Sequence, residues 1–259
     1  MGLSTPEPAV PPSLDPCRIP ISTVSAALAG GWRDFRRVPA PAAGFAAVFA
    51  LIGVVIFALL EHFGLAPMRL PLAGGFLLVG PAVLAGFFAL RRAAEAGRRP
   101  AVGEVLAGFR QAPRGLWGLA GVCCLLFLIW VSDAATVYSF MIGGDAAPAG
   151  GQVLRFHLWT SLMGVVLAGI VFCITAFSVP LLFDGRAGLV QAVTASVRAV
   201  FANFGAMLAW AVVLGAALIA TIHLPPLLLL SLPWLAFASD LLYLAVFPPA
   251  SRRPDGETN

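Results

Sequence analysis

Residues 116–137 read LWGLAGVCCLLFLIWVSDAATV, an unbroken apolar stretch whose only charged residue is Asp133. A helix needs about 20 residues to cross roughly 30 Å of hydrocarbon, and a soluble surface helix would carry a polar face over such a length. The stretch therefore reads as a transmembrane helix. Five further runs pass the same test, at 41–60, 70–90, 158–183, 204–222 and 224–247. Inside a bilayer the backbone must satisfy its own hydrogen bonds, so runs of this kind specify helices. The fold class that follows is an all-α integral membrane protein with six transmembrane helices. Only the turn His223-Leu224-Pro225-Pro226 separates the last two spans, and Pro233 is expected to kink the sixth.

Composition agrees. Of 259 residues, 60% are hydrophobic and 11% charged, where soluble domains carry about 25% charged residues. The mean hydropathy is +0.94. A water-soluble enzyme is excluded, and no remaining stretch could build a separate soluble core. Residues 1–20 hold six prolines and few large apolar side chains, and read as a disordered, Pro-rich cytoplasmic tail without the basic start and apolar run of a signal peptide. Residues 21–247 form the membrane domain, and 248–259 a short cytoplasmic tail.

All sixteen cationic residues are arginine, a usage that points to a GC-rich bacterial genome. Their distribution orients the chain. Fourteen lie in the N-terminal segment, the second-to-third and fourth-to-fifth connections and the C-terminal tail; only Arg69 and Arg155 lie on the other side. Cationic loops stay cytoplasmic during insertion, so both termini are expected in the cytoplasm of a bacterial inner membrane, in agreement with an even number of spans. The arginines hug the spans and project no basic face into water, which argues against nucleic acid as a partner.

Each arginine-rich connection also holds a short amphipathic segment before an outgoing span. Val24, Leu28, Trp32 and Phe35 share a face in the first; Val102, Val105, Leu106 and Phe109 in the second; Leu189, Val193, Val197, Val200 and Phe204 in the third. The expected architecture is three units, each an interfacial helix followed by a transmembrane hairpin.

Chemistry-bearing residues are few. Cys17 falls in the tail and Cys123, Cys124 and Cys173 in spans, without the spacing of a zinc or redox pair, so they read as small apolar side chains. His62, His157 and His223 sit near span ends, too few for haem or copper ligation by facing helices. No phosphate loop, nucleophile elbow or metalloprotease helix occurs. No cofactor, metal site or catalytic group is expected. The two carboxylates inside spans are better leads, because a charge at the bilayer centre costs about 2.5–3.5 kcal/mol on insertion scales and must find water or a partner. Asp133, in the outer part of the third span, could face a small aqueous cavity or be protonated. Asp240, in the inner part of the sixth, is expected to pair with an interfacial arginine, the candidates being Arg33, Arg110 and Arg198.

The segment Phe177-Ser178-Val179-Pro180-Leu181-Leu182-Phe183-Asp184, followed by Ala195-Ser196-Val197-Arg198-Ala199-Val200-Phe201-Ala202-Asn203 and Trp210, resembles the bacterial integral membrane family named domain of unknown function 2189. Gly30-Gly31-Trp32-Arg33-Asp34, Gly86 through Arg92 and Gly97 to Pro100 extend the likeness, which spans residues 20–247. The resemblance implies a membrane protein of no established activity. Some relatives are labelled cytochrome c oxidase subunits, a label to which the three histidines here lend no catalytic support. Relatives often show Gly-His, Trp-His and Tyr-Arg near the end, where this chain has Ala236-Phe237, Asp240-Leu241 and Tyr243-Leu244.

These readings lead to a non-enzymatic accessory, assembly or scaffold component of the membrane, with the lipid bilayer around it and a membrane-protein partner or a homo-oligomer as possible company. The alternative is a small transporter or channel in which Asp133 and Asp240 line a polar pathway. The orientation is testable directly. A fluorescent protein fused after Asn259 should fluoresce and an alkaline phosphatase fused there should be inactive; the reverse pattern would invert the topology.

Overall fold

The computed structural model describes residues 14–76, 80–98, 102–143 and 150–249, and among these every regular element is helical. In chain order the helices are α1 (Ser22–Arg37), α2 (Pro39–His62), α3 (Arg69–Phe76), α4 (Gly80–Glu95), α5 (Val102–Gln111), α6 (Arg114–Met141), α7 (Gly150–Thr175), α8 (Ser178–Phe183), α9 (Leu189–Ala202), α10 (Phe204–His223) and α11 (Leu228–Val246). Five segments among the described residues are long and apolar enough to cross a membrane: Pro39–His62, Arg114–Met141, Gly150–Phe183, Phe204–His223 and Pro225–Val246. The second expected span corresponds to α3 and α4, which flank residues 77–79. The chain is thus an all-α membrane protein with about six spans. Residues 1–13 and 250–259, assigned above to the two tails, lie outside the described residues.

The order of a short helix before two spans occurs three times: α1 before α2 and α3/α4, α5 before α6 and α7, α9 before α10 and α11. On α1 the expected face is the packed one, with Val24 and Phe35 buried and Leu28 and Trp32 packed at the core margin. On α5, Val105 is buried and Phe109 packs beside it, but Leu106 is exposed. The α9 expectation needs correction. Its buried residues are Ala192, Ala195, Ser196, Ala199 and Val200, whereas Phe204 is exposed and Leu189 and Val193 are only partly covered. Small side chains let α9 lie close beneath α7 and α8, and the bulkier apolar residues turn to the surroundings.

A second correction concerns residues 14–20, read from sequence as part of a disordered tail. They are tied down. Cys17 N–H donates to the Val246 carbonyl at 2.9 Å, Ile19 N–H to Asn203 Oδ1 at 2.7 Å, and Asn203 Nδ2 donates back to the Cys17 carbonyl at 3.1 Å. Asn203, buried where α9 ends and α10 begins, thus stitches the segment before α1 to both helices. Proline content argued for disorder; backbone hydrogen bonds to a buried amide override it.

The spans differ sharply in burial although their sequences look alike. In α2 only Ala42 and Ala46 are buried. In α11 Ser231, Pro233, Ala236, Phe237, Ala238, Asp240, Leu242, Tyr243 and Val246 are all buried, on every side of the helix. The last span is therefore central, packed chiefly on α1 and α2 and then on α4, and it barely touches its hairpin partner α10. The 3-10 turn at Pro225–Leu227 joins the two where the sequence places the turn, and Pro233 lies inside α11.

The closeness of α1 to α11 rests on two glycines. A Cβ on Gly31 would lie 2.6 Å from the Ala238 nitrogen and 2.8 Å from the Trp234 carbonyl oxygen, both backbone atoms that cannot step aside. On Gly30 it would meet the end of the Leu241 side chain at 2.6 Å, which can rotate. Trp234 closes the joint, its Nε1–H donating to the Leu28 carbonyl at 2.8 Å with its ring edge-on to Trp32 at 5.6 Å. Gly31→Ala should therefore destabilise the chain by about 1–3 kcal/mol while Gly30→Ala has a markedly smaller effect. Unfolding of the two variants in mixed micelles tests this; equal losses would show that the helices are free to part.

Candidate functional site

The ionisable side chains converge where the ends of α4 and α11 meet the turn between α8 and α9. The α4 helix carries Arg91, Arg92 and Glu95 on its last turns. Arg91 Nε donates to Asp240 Oδ2 at 3.0 Å, and its Nη2 reaches Glu95 Oε1, one turn on, at 3.1 Å. The Arg91 and Asp240 side chains are only 4% and 2% exposed. Neither charge could be held at this burial alone, so each requires the other.

The adjacent arginine serves a second contact. Arg92 Nη2 pairs with Asp184 Oδ1, its guanidinium stacked over the Phe183 ring at 4.5 Å. The other oxygen of Asp184 accepts the Tyr243 hydroxyl at 2.7 Å. Arg186 then donates to the Tyr243 hydroxyl at 3.1 Å and to the Phe247 carbonyl at 2.7 Å, satisfying a carbonyl that the end of α11 leaves open. The local backbone makes this possible. Gly185 takes a φ of 65°, and the Gly185 and Arg186 amides turn back onto the Leu182 and Leu181 carbonyls, so that Asp184 and Arg186 are presented on one side of the turn.

Ser196 makes a similar splice one layer deeper. Its hydroxyl donates to the Cys173 carbonyl at 2.8 Å and accepts the Phe177 N–H at 3.1 Å, bridging the break between α7 and α8. Two atoms at the heart of the cluster, Arg91 Nη1 and Asp240 Oδ1, are buried and have no hydrogen-bond partner among the described residues.

The residues singled out from the sequence fare differently. Asp240 is in an ion pair, but its partner is Arg91. Arg33 and Arg110 are exposed and make no ion pair among the described residues; Arg198 pairs at 3.4 Å with Asp15, on the segment before α1. Each lies on a short helix whose charged side faces outward, whereas Arg91 on α4 points into the bundle. Asp133 is exposed on α6, whereas Asp240 is buried on α11 against Arg91, so the two carboxylates share no site. Arg91, Arg92, Asp184, Arg186 and Tyr243 were missed as a group. The usable signal was the Arg91-Arg92 pair ending an apolar run, since a guanidinium there must either leave the bilayer or find an acid.

The cysteines are free thiols, with Cys123 buried, Cys124 exposed and Cys17 and Cys173 between. No group of three or more His, Cys, Asp or Glu residues able to hold a metal occurs among the described residues. His157 Nε2 lies 3.2 Å from the Pro67 carbonyl, at the end of the bundle opposite the ionic cluster.

The core of this arrangement, from α3 through the Asp184 turn, coincides with a known sequence pattern. Residues 69–184 match the family described as predicted integral membrane protein, DUF2189. The match takes in α4 with its two arginines and the Ser178–Asp184 segment on which the sequence resemblance was read. Gly30 to Asp34, Ala195 to Asn203 and Trp210 lie outside it. No curated protein and no solved structure matches the chain. Asp240 and Tyr243, which lie beyond the matched residues, are the α11 members of the ionic cluster.

Breaking one partner of a buried pair strands the other, which costs about 3–5 kcal/mol, whereas replacing both by apolar side chains is close to neutral. Asp240→Ala should thus lower the unfolding free energy by about 3–5 kcal/mol, and Arg91→Met with Asp240→Leu should recover most of that loss. Unfolding in mixed micelles measures both. A double variant as unstable as the single one would assign the site a role other than pairing.

Proposed function

We propose that the chain is a multi-pass inner-membrane accessory, assembly or scaffold component without catalytic activity, its two termini on the cytoplasmic side. The observation that carries this reading is the closure of Asp240 by Arg91. A carboxylate that binds and releases a travelling ion must exchange partners, and here it is held by a guanidinium inside the helix packing. Asp133, the other intramembrane acid, faces away from the bundle on a different span. A cavity of about 230 Å³ opens at the side of α9, lined by Leu14, Val190, Gln191, Thr194, Ala195 and Arg198, and neither carboxylate lines it.

The orientation draws support from the positions of the arginines. Arg91, Arg92, Arg186 and Arg198 stand at the end of the bundle where α1, α5 and α9 gather, and this arginine-rich end is the one expected to remain cytoplasmic.

The second reading, a small transporter or channel, is favoured by one feature: Arg91 Nη1 and Asp240 Oδ1 lack partners among the described residues, so the pair could take up a small polar species. Proteoliposomes separate the two. With the parent chain, Asp133→Asn and Asp240→Asn at matched amounts, the scaffold reading expects proton and small-ion flux equal to that of empty vesicles in all three. Flux in the parent that either substitution abolishes would overturn it and place a pathway at that carboxylate.

A further inference from the structure

The arginine-rich end of the bundle holds more positive charge than its acids match. Glu104 pairs with Arg98, Glu95 and Asp240 with Arg91, Asp184 with Arg92, Asp34 with Arg37 and Asp15 with Arg198. Every described acid at this end is thus engaged. Arg110 and Arg114 are exposed and make neither an ion pair nor a hydrogen bond among the described residues. They stand on either side of the joint between α5 and α6, where Pro113 takes an extended ψ of 152° before the second helix begins. Across that joint the Phe109 and Trp117 rings meet, their centroids 6.5 Å apart. The contact brackets the residues between, so the two guanidinium stems leave one short bight of chain.

Trp117 sets the depth of this bight. It precedes Tyr138 by 21 residues on α6, which at 1.5 Å per residue separates the two amphipathic rings by about 32 Å, the thickness of the hydrocarbon. Rings of this kind settle at the two membrane–water boundaries. Arg114, three residues before Trp117, therefore stands about 4.5 Å further out, at the level of the lipid phosphates. The α5 helix turns Val105 towards Gly86 and Gly108 towards Ala89, both on α4, and this leaves Leu106 and Arg110, one turn apart, facing the surroundings. Leu106 is 57% and Trp117 52% exposed. The Trp117 Nε1–H meets no acceptor among the described residues, whereas those of Trp130 and Trp234 donate to the Pro71 and Leu28 carbonyls.

We propose that the joint between α5 and α6 binds an anionic glycerophospholipid, its phosphate held by Arg110 and Arg114 and the start of its acyl chains laid on Trp117 and Leu106. Charge and depth together select that occupant. A guanidinium fork matches phosphate oxygens, and here two forks have no competing carboxylate. A free anion would satisfy the arginines but not the exposed indole and leucine beneath them; a lipid supplies both, with its ester oxygens within the interfacial layer as acceptors for the indole N–H. A zwitterionic lipid also carries a phosphate, but its own ammonium offsets the attraction of the arginines.

Native mass spectrometry of the full-length chain, released from micelles containing phosphatidylglycerol or phosphatidylcholine of identical acyl chains, tests this by counting retained lipid. The parent should retain phosphatidylglycerol in preference. Arg110→Gln with Arg114→Gln should weaken phosphatidylglycerol binding by about tenfold or more and leave phosphatidylcholine unchanged. Arg33→Gln with Arg36→Gln, which removes the same charge from α1, should bind phosphatidylglycerol as the parent does. A parent without the preference overturns the proposal and leaves an acidic protein as the partner of the two arginines. Binding by the Arg110 and Arg114 double variant equal to the parent's also overturns it, as does an equal loss in both double variants, which would make the effect one of net charge. Displacement of the lipid by excess inorganic phosphate overturns it too, making the ligand a free anion. If the Arg110 and Arg114 double variant does not fold, Arg110→Gln alone decides, and binding equal to the parent's overturns the proposal.

Discussion

A guanidinium and a carboxylate buried together in an apolar interior can be kept only as a pair, because the desolvation of either alone exceeds what the surroundings return. Arg91 and Asp240 are such a pair, and they set the position of α4 against α11. Since α11 is the helix on which α1, α2 and α4 all pack, fixing it fixes that part of the bundle. The contact also governs a specific register. Sliding α11 by one turn would move Asp240 by about 5.4 Å and leave two stranded charges, so the alternatives are excluded by electrostatics as much as by packing.

Around that pair the chain is held by polar splices placed wherever a helix stops. Asn203 joins the segment before α1 to the junction of α9 and α10, Ser196 bridges the break between α7 and α8, and Arg186 closes the open end of α11. Each satisfies backbone groups that a bilayer would leave without water, so the irregular backbone is confined to sites where side chains of the same molecule complete it. The arginine-rich end is consequently the ordered, cross-tied end, and the two glycines of α1 allow the first short helix to reach the central span directly.

Much of the architecture was legible from residue order. The long apolar runs, the turn at Leu224-Pro225-Pro226 and the short helices that precede the spans all follow from local pattern and from the energetics of the bilayer. The face of α9 was misread because large apolar residues were weighted as core, whereas close packing in a membrane favours the small ones, Ala192, Ala195 and Ala199. The tail before α1 was misread because prolines speak only of local preference, while Asn203, about 185 positions further on, supplies the hydrogen bonds that order it. For the ionic cluster, the acid Asp240 was found by its depth, but its base lies 149 residues away along the chain.

The sequence by itself determined that this chain crosses a membrane, how many times within the limits of run length, and where its charges must gather, because each of those is a sum over local transfer free energies. Only the tertiary structure decided which span is central. Both α2 and α11 are apolar all round, and one keeps two buried residues while the other is buried on every side, since a uniformly apolar helix is equally content against lipid or protein. It likewise decided that Asp240 meets Arg91 rather than Arg33, Arg110 or Arg198, because that choice depends on which faces come together, and pairing across 149 residues leaves no trace in local pattern.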